Sequence, residues 1–297
     1  MCGADAARAQ TASRSARLDR SKLRPTFADD FDGPLSLWHP KTRQGRWKTN
    51  YFYGDPFGPS GRIFDDVVVV DPAYCGVDPF ITGGGMVRLE PARTASVDPR
   101  LGGKTLTSGL LTTERSFVQT HGYFECRIAS PSIPGCWPAF WLFSAPVDDL
   151  TGAQWDNRLG YGRQWTGGLS NEIDVVEILT NDTKQTYHTT HVRAEWNDGR
   201  PGTGYDPAFR PPKANPRVVA SDETDAPHDD GMLWTADEMV WCVDDVEVCR
   251  APNPDIHEPM YPIVSMTSGG WNGNALPPDF KKAQMAVDFV RIFSVAT

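Results

Sequence analysis

The sequence lacks the features that mark membrane proteins and nucleic-acid-binding proteins. No apolar run approaches the roughly 18–20 residues that a membrane-spanning helix needs, and the N-terminus has no apolar stretch like that of a signal peptide. Lys and Arg number 29 against 38 Asp and Glu, which gives a net charge of −9. Phosphate binding needs clustered basic side chains. We therefore expect no nucleic acid and no membrane span, and a main partner that is neutral or small.

The sequence also lacks a cysteine motif. Its six cysteines form no CxxC pair and no Cys/His cluster; they are Cys2, Cys75, Cys126, Cys136, Cys242 and Cys249. Zinc sites and thiol redox centres both need such spacings, so neither is predicted. Disulfide pairing does not follow from the sequence.

The residues present in excess indicate a turn-rich β protein. Gly (27) and Pro (25) are frequent, while apolar residues still reach 39%. The ten Trp exceed what a core needs, and large rings are also platforms for the flat apolar faces of sugars. A sandwich of about 200–250 residues can be one domain. Residues 1–24 have almost no large apolar side chains, so we predict a disordered leader there and one domain over residues 25–297.

Strand patterns begin at Phe27. From there, short runs alternate apolar and polar residues between Gly, Pro and Asp, which is typical of half-buried strands. The clearest unit runs from Met239 to Cys249, where a two-residue turn at Asp244 and Asp245 would form a hairpin. We find no convincing amphipathic helix and no internal repeat. Many strands with turns between them predict an all-β fold of two packed antiparallel sheets.

The sharpest feature is a run of three carboxylates within six residues, Glu172-Ile-Asp-Val-Val-Glu177, inside a strongly β-forming segment. Side chains alternate between the two faces of a regular strand, so Glu172 and Asp174 would share a face and Glu177 would lie on the other. A bulge at Val175-Val176 would add one residue and return Glu177 to the face of the first two acids. We predict this bulge, with the three acids lining one groove.

Three crowded carboxylates fit retaining glycoside hydrolysis. In that reaction one carboxylate is the nucleophile, and a second carboxyl about 5–5.5 Å away acts as general acid and then as base. The pKa of the acid must rise from about 4.3 toward roughly 6–7 through burial and a negative neighbour. A third carboxylate between them can share a proton and set the order of ionisation. The alternative is an edge strand whose charged face is simply solvated.

Motifs along most of the chain resemble those of glycoside hydrolase family 16. The run from Glu172 to Glu177 resembles the E-I-D-x-x-E signature of that family in its bulged form, which is the form of laminarinases, agarases and kappa-carrageenases. Further segments resemble the family in the same order along the chain: residues 27–33, 108–113, 121–125, 135–142, 233–241, 269–273 and 287–292. The resemblance implies an all-β, concanavalin A-like β-jelly-roll sandwich of two antiparallel sheets with a substrate cleft on the concave face. It also implies a secreted or cell-surface protein.

The resemblance implies a role for each acid. Glu172 matches the nucleophile, Asp174 the assisting acid and Glu177 the general acid/base. Four other side chains match substrate-binding positions: Trp137, Trp141, His191 and Trp271. For Trp137 and Trp141 a place in the core is the alternative, and for Trp271 and His191 it is ordinary packing or a structural role.

The resemblance also implies a metal site outside the chemistry. Asp30 and Asp288 match positions that bind a structural calcium in several relatives, together with backbone carbonyls, and oxygen ligands suit Ca²⁺. A solvated acidic edge is the alternative. No cofactor is expected for catalysis.

The substrate is the least determined property. Our first hypothesis is a monomeric, retaining, endo-acting hydrolase of a polysaccharide, a β-1,3- or β-1,3/1,4-glucan. Alternatives are a hydrolase of a β-galactan or of an acidic exopolysaccharide, a transglycosylase, and a non-catalytic lectin. Residues 148–170 form a long insertion relative to laminarinases, and residues 195–230 are also too long for a hairpin turn; loops of such length are usually functional or mobile. Arg158, Arg163 and Arg193 could bind an acidic sugar or be solvated.

Overall fold

The computed structural model describes residues 16–39, 41–51, 67–94, 104–145, 171–192, 213–214, 217–220, 226–254 and 256–296. Almost all of their regular structure is β-strand, arranged as two large sheets and one small one. No helix in these ranges has the length and apolar character needed to cross a membrane. The all-β prediction is confirmed.

The first large sheet has eight strands. They are β1 (Leu23–Asp29), β3 (Phe80–Thr82), β4 (Val87–Leu89), β8 (Gly122–Ala129), β14 (His228–Trp234), β15 (Glu238–Val243), β16 (Val246–Pro252) and β18 (Met285–Val295). Seven of them lie in the order β16-β15-β14-β8-β18-β4-β3, and β1 also pairs with β18. Every pairing in this sheet is antiparallel. We call it the opposing sheet.

The second large sheet carries the three acids. Its strands are β7 (Leu110–Thr112), β9 (Cys136–Ser144), β10 (Glu172–Glu177), β11 (Gln185–Val192), β12 (Lys213–Ala214), β13 (Arg217–Ala220) and β17 (Met260–Ser268). Six lie in the order β12-β11-β10-β9-β17-β7, and β13 also pairs with β11. All pairings are antiparallel, and β10 is central, between β9 and β11. We call it the acid-bearing sheet.

The remaining elements are short. A three-stranded sheet joins β2 (Val67–Val69), β5 (Ala92–Arg93) and β6 (Leu106–Ser108), with β2 and β6 parallel. One helical turn, α1 (Pro72–Cys75), is capped by the Asp71 side chain, which accepts from the backbone N–H of Ala73. A 3₁₀ turn covers Arg20–Lys22.

The core lies between the two large sheets. Phe140, Ile173 and Met266 of the acid-bearing sheet pack in one cluster with Phe124 and Trp241 of the opposing sheet, and all five are fully buried. Burying one such side chain contributes about 1.5–3 kcal/mol, so this layer is the main source of stability. The core packs against the inner face of β9, β10 and β17. Their outer face is left for the acids.

The predicted hairpin is confirmed. β15 and β16 pair across a two-residue turn at Asp244 and Asp245, whose φ angles are 51° and 66°. Positive φ at both central positions is the geometry that matches the twist of a hairpin, and Asp tolerates it better than most residues.

Four cysteine side chains are described: Cys126, Cys136 and Cys242, which are buried and free, and Cys249, which is half-buried. Burial raises the pKa of the Cys136 thiol and of the Cys242 thiol to about 12. These thiols therefore stay protonated and unreactive. Cys2 and the side chain of Cys75 lie outside the described part of the chain.

Residues 16–24 belong to the fold, which corrects part of the predicted leader over residues 1–24. The Arg20 guanidinium lies 2.6 Å from a carboxylate oxygen of Glu125 and 2.7 Å from one of Asp245. Leu23 is buried and pairs with Val295 in β18. Composition did not predict that this segment is ordered, because ion pairs and strand pairing hold it in place and large apolar side chains do not. Residues 1–15 lie outside the described residues.

Candidate active site

β10 contains the predicted bulge. Toward β9, Asp174 is opposite Trp141 and the next pair begins at Val176, so Val175 is the extra residue. Toward β11, the register shifts over the same stretch, between Asp174 and Glu177. An extra residue reverses the alternation of faces once, which places Glu177 on the same face as the two acids before it. The contacts described below agree with this arrangement.

His191 lies beside two of the acids. It is directly opposite Glu172 on β11. Its Nε2 atom lies 3.2 Å from Oδ2 of Asp174 and 3.8 Å from Oε1 of Glu172. When the imidazole is protonated, it forms an ion pair with these acids and reduces the repulsion among the carboxylates. One atom from each of these three residues lies within 4.8 Å of the other two, so the group could also ligate a divalent cation.

Glu177 accepts hydrogen bonds from three side chains. The indole Nε1 of Trp137 donates to its Oε1 at 3.2 Å, and that of Trp271 donates to the same oxygen at 3.5 Å. The Thr189 hydroxyl lies 3.3 Å from its Oε2. Only 7% of Glu177 is exposed. Its carboxyl group is therefore fixed in direction and largely removed from water.

This environment changes the ionisation of Glu177. Burial, and after it the negative charges of Asp174 and Glu172, raises the pKa of Glu177 to about 8, although Trp271 and His191 act in the opposite direction. An ordinary Glu has a pKa of about 4.3. Glu177 is therefore protonated at neutral pH, which is the state that a general acid needs.

Trp141 forms part of the floor next to the acids. It is opposite Asp174 in the ladder, and its indole Nε1 donates to the Ser265 hydroxyl at 3.1 Å. The Tyr51 ring packs against it with centroids 6.1 Å apart. Burial raises the pKa of the Tyr51 hydroxyl, and the charge of Glu172 acts in the same direction. The Tyr51 hydroxyl is thus a neutral hydrogen-bonding group near the acids.

Trp271 lies at the edge of the site, and 38% of it is exposed. Its ring packs edge-on against Tyr187, with centroids 4.5 Å apart, and Asn272 donates to the Tyr187 hydroxyl at 3.2 Å. Gly270, with φ of +90°, brings the loop so close that a Cβ atom there would lie 2.5 Å from the Trp137 ring. The structure brings Trp137 and Trp271 together on Glu177. That either ring binds sugar stays a prediction.

Several residues of this site were not predicted from the sequence. The site is also lined by Tyr187 and Thr189 of β11, by Ser265 of β17, and by Tyr51, which follows the bridge between Lys48 and β7. Isolated Tyr, Thr and Ser residues carry no sequence signal. Glu258 also contributes, because it accepts from the Asn171 side chain at 2.9 Å and so anchors the start of β10. The HTTH spacing of residues 188–191 did carry a signal. It places the two histidines on opposite faces of β11.

The two candidate calcium ligands do not fit a Ca²⁺ ion as they lie. Arg291 donates to Oδ1 of Asp30 from Nε at 2.9 Å and from Nη2 at 2.6 Å. The Asp288 carboxylate lies 4.0 Å from Arg127. A cation would have to displace the Arg291 guanidinium from Asp30, and the positive charge of Arg127 lies near Asp288. Structural calcium stays a prediction without support from this geometry.

Several predictions concern residues outside the described ranges. They concern the insertion over residues 148–170 and the arginines Arg158, Arg163 and Arg193. Most of residues 195–230 lie outside as well; β12, β13 and residues 226–230 are described.

Comparison with solved structures shows the fold. The laminarinase catalytic domain of Thermotoga maritima superposes with a TM-score of 0.63 at 17% identity, covering 93% of this chain and 100% of the other. LamAcat of Zobellia galactanivorans gives a TM-score of 0.67 at 20% identity, covering 92% and 99%. The predicted jelly roll is confirmed.

Comparison of sequences shows the family. Endo-1,3-1,4-beta-glycanase EglC of Rhizobium meliloti (strain 1021) is 33% identical over 95% of this chain and 54% of the relative, and ExsH of the same organism is 30% identical over 94% and 53%. The chain thus spans about half the length of these curated relatives. The model of glycosyl hydrolases family 16 matches residues 93–291, which include all three acids, both tryptophans beside Glu177 and His191. This chain is a member of glycosyl hydrolase family 16.

Proposed function

We propose that this protein is a retaining, endo-acting hydrolase of β-glucans. The observation that carries the proposal is the bulge of β10, which puts Glu177 on the face of Glu172 and Asp174 with a pKa of about 8. Double displacement needs a protonated general acid beside an ionised nucleophile. A Glu177 that is protonated at neutral pH, next to the negative charges of Asp174 and Glu172, provides this pair of states.

In the first step Glu172 is the nucleophile. Its carboxylate oxygen forms a bond to the anomeric carbon while the bond from that carbon to the leaving oxygen breaks. Glu177 gives its proton to the leaving oxygen, so a new chain end departs as a neutral alcohol. The products are a glycosyl ester on Glu172 and an ionised Glu177.

In the second step Glu177 acts as the base. It takes a proton from water, whose oxygen attacks the anomeric carbon and displaces Glu172 as a carboxylate. Glu177 is then protonated again. Two displacements at one carbon retain the anomeric configuration. Asp174, between the two in sequence and 3.2 Å from His191, adds a negative charge that favours the protonated form of Glu177.

The names of the relatives support a glucan as the substrate. Two are endo-1,3-1,4-beta-glycanases, and a third, from Rhodothermus marinus, is a beta-glucanase that is 28% identical over 71% of this chain and 68% of its own length. We therefore propose β-1,3 or mixed β-1,3/1,4 linkages. Because a glucan polymer does not cross a membrane, we also propose that the protein acts outside the cell. A monomer stays a prediction that size-exclusion chromatography tests.

A substrate panel tests the function. Laminarin, lichenan, agarose, carrageenan and an acidic exopolysaccharide are assayed for new reducing ends, and proton NMR follows the anomer released first. We expect cleavage of laminarin or lichenan, with the β-anomer first and products of intermediate length. Cleavage of agarose, carrageenan or the exopolysaccharide alone would overturn the glucan assignment. Products longer than the substrate would indicate a transglycosylase.

The variant Glu172→Gln separates an enzyme from a lectin. We expect it to lose turnover while still binding glucan in calorimetry, because it removes the nucleophile and leaves the tryptophans in place. Wild-type protein that binds every glucan without cleaving any would identify a lectin.

A further inference from the structure

Two buried aromatic side chains donate to the backbone of the β10 bulge. The indole Nε1 of Trp241 lies 3.0 Å from the carbonyl oxygen of Asp174. The imidazole Nδ1 of His188 lies 2.6 Å from the carbonyl oxygen of Val175. Asp174 is the last residue in regular register, and Val175 is the extra residue toward β9. The two ring donors therefore meet the backbone where the bulge begins.

The contact places a hydrogen on Nδ1 of His188. A carbonyl oxygen can only accept, so Nδ1 carries the hydrogen in this contact. The other nitrogen, Nε2, lies 3.1 Å from the Thr186 hydroxyl, which can donate to it. His188 is 1% exposed and Thr186 is fully buried. A neutral ring with its hydrogen on Nδ1 satisfies both contacts.

The two donors reach the bulge from different sheets. His188 lies on β11 between Thr189 and Tyr187, which pair with Asp174 and Glu177, so it is the single residue opposite the bulge. Trp241 lies on β15 of the opposing sheet and reaches Asp174 across the core. The His188 and Trp241 rings also pack against each other, with centroids 6.3 Å apart and planes at 51°. The bulge is thus held from the neighbouring strand and from across the core.

We propose that His188 and Trp241 are positioning residues that hold the β10 bulge and thereby keep the Glu177 carboxyl in the cleft. The inference rests on the function proposed above and adds how the acid is placed. Neither ring is on the cleft face, so neither touches substrate. Without the bulge, the two-residue period of β10 would turn Glu177 toward the core. Removing one ring N–H takes a hydrogen-bond donor away from the buried carbonyl oxygen of Asp174 or Val175. The bulge backbone can then rearrange to find another donor.

The first test compares two equivalent tryptophan substitutions. Trp241→Phe removes the donor to Asp174, whereas Trp234→Phe, at an equally buried indole, removes a donor to the carbonyl oxygen of Ile256 at 3.1 Å, away from β10. Both variants should lose a similar amount of Tm. We expect kcat on the glucan to fall about 100-fold for Trp241→Phe, the size of effect of a small displacement of a catalytic group, with KM little changed. Trp234→Phe should keep wild-type kcat.

The second test uses His188. His188→Leu removes the ring donor, while His188→Asn keeps an N–H donor near the position of Nδ1. We expect kcat to fall for the Leu variant and to recover in part for the Asn variant. If the Leu variant does not fold, the Asn variant and Trp241→Phe still decide, because both keep polar or aromatic groups in the core.

The third test isolates the acid step. A dinitrophenyl glycoside of a glucan oligosaccharide needs no proton donor for departure of its leaving group. We expect the first-turnover burst of Trp241→Phe on this substrate to stay near the wild-type rate, since Glu172 precedes the bulge. An equal loss on the glucan and in the burst would point to general damage and overturn the proposal.

The last readout does not depend on activity. Carboxyl ¹³C NMR, with Glu177→Gln used for assignment, follows the titration of Glu177, whose pKa is raised to about 8 in the intact site. We expect the pKa of Glu177 to change in Trp241→Phe and His188→Leu and to keep its wild-type value in Trp234→Phe. Equal titrations in all variants would overturn the proposal, even if no glucan were cleaved.

Discussion

At the scale of single residues, the proposed role of Glu177 as general acid predicts how activity depends on pH. Its pKa is raised to about 8, chiefly by burial and then by its negative neighbours. The proposed general acid is active while protonated, so kcat/KM should fall as the pH rises through this value. A pH profile on a glucan measures this. Trp271→Phe removes an N–H donor that favours the ionised form, so its alkaline limb should move to higher pH. An alkaline limb near the ordinary pKa of Glu would contradict the assignment.

Chemical rescue of single-residue variants distinguishes the proposed roles of Glu177 and Glu172. Glu177→Ala should lose roughly 10²–10⁴-fold in kcat, the usual contribution of a general acid. Azide should then attack the glycosyl-enzyme and release a β-glycosyl azide. Glu172→Ala should be rescued to the opposite anomer, because azide attacks the substrate directly. Identification of the azide anomer by NMR decides, and exchanged outcomes would mean exchanged roles.

The sequence predicted that the three acids share one face because their spacing along β10 is local. It also predicted that His191, by resemblance, lies beside them. It did not predict the bond from Trp137 to Glu177, which joins residues 40 positions apart through the register of β9 on β10. It also singled out His191 and not His188. Which of the two histidines faces the acids depends on the register of β11, and that register follows from pairing with β10.

At the scale of elements, the loop after β17 is shaped by its closeness to Trp137. Gly270→Ala places a Cβ atom 2.5 Å from the Trp137 ring at a φ of +90°, so the ring that donates to Glu177 must move. We expect kcat/KM on a glucan to fall at least about tenfold, since small displacements near a catalytic group have large effects. Gly273→Ala is the matched control, with φ of +69° and no atom within 4 Å of the added Cβ. The backbone penalty of about 1–2 kcal/mol applies to both. A similar loss of activity in both variants would contradict the role of the Trp137 contact.

The bulge shows how far an element can be predicted. Its existence follows from counting, because three acids can share a face only if one residue is extra. The donors that hold it do not follow, since Trp241 lies 67 residues away in the other sheet. The hairpin from Met239 to Cys249 was predicted because its strands and its turn are adjacent in sequence.

At the scale of the whole molecule, the segment over residues 16–24 ties the opposing sheet together. Arg20 reaches Glu125, which is fully buried, and Asp245. A chain that starts at Pro25 should be about 1–3 kcal/mol less stable than one that starts at Ala16, because a buried carboxylate loses its partner. Urea unfolding measures the difference. Adding Glu125→Gln to the shorter chain should restore part of the loss. Equal stability of the two chains would return the boundary to residue 25.

The predicted boundary at residue 25 was wrong because composition does not show contacts between segments that are distant in sequence. Composition counts apolar side chains, and residues 16–24 contribute an ion pair and strand pairing to parts of the molecule more than 100 positions away. The sheets as a class were predictable from alternation. Their strand order was not, because it depends on pairings between distant segments.

The place of β18 has a consequence for how the protein is made. This strand pairs with β8, β4 and β1, yet it is the last strand in the described chain, at Met285–Val295. While the ribosome is still adding residues before Met285, the opposing sheet lacks the strand that joins its two halves. Pairings between such distant segments also form slowly. The opposing sheet therefore stays unpaired across its middle until Met285–Val295 has been made, so its two parts cannot complete their pairing while the segments before β18 emerge.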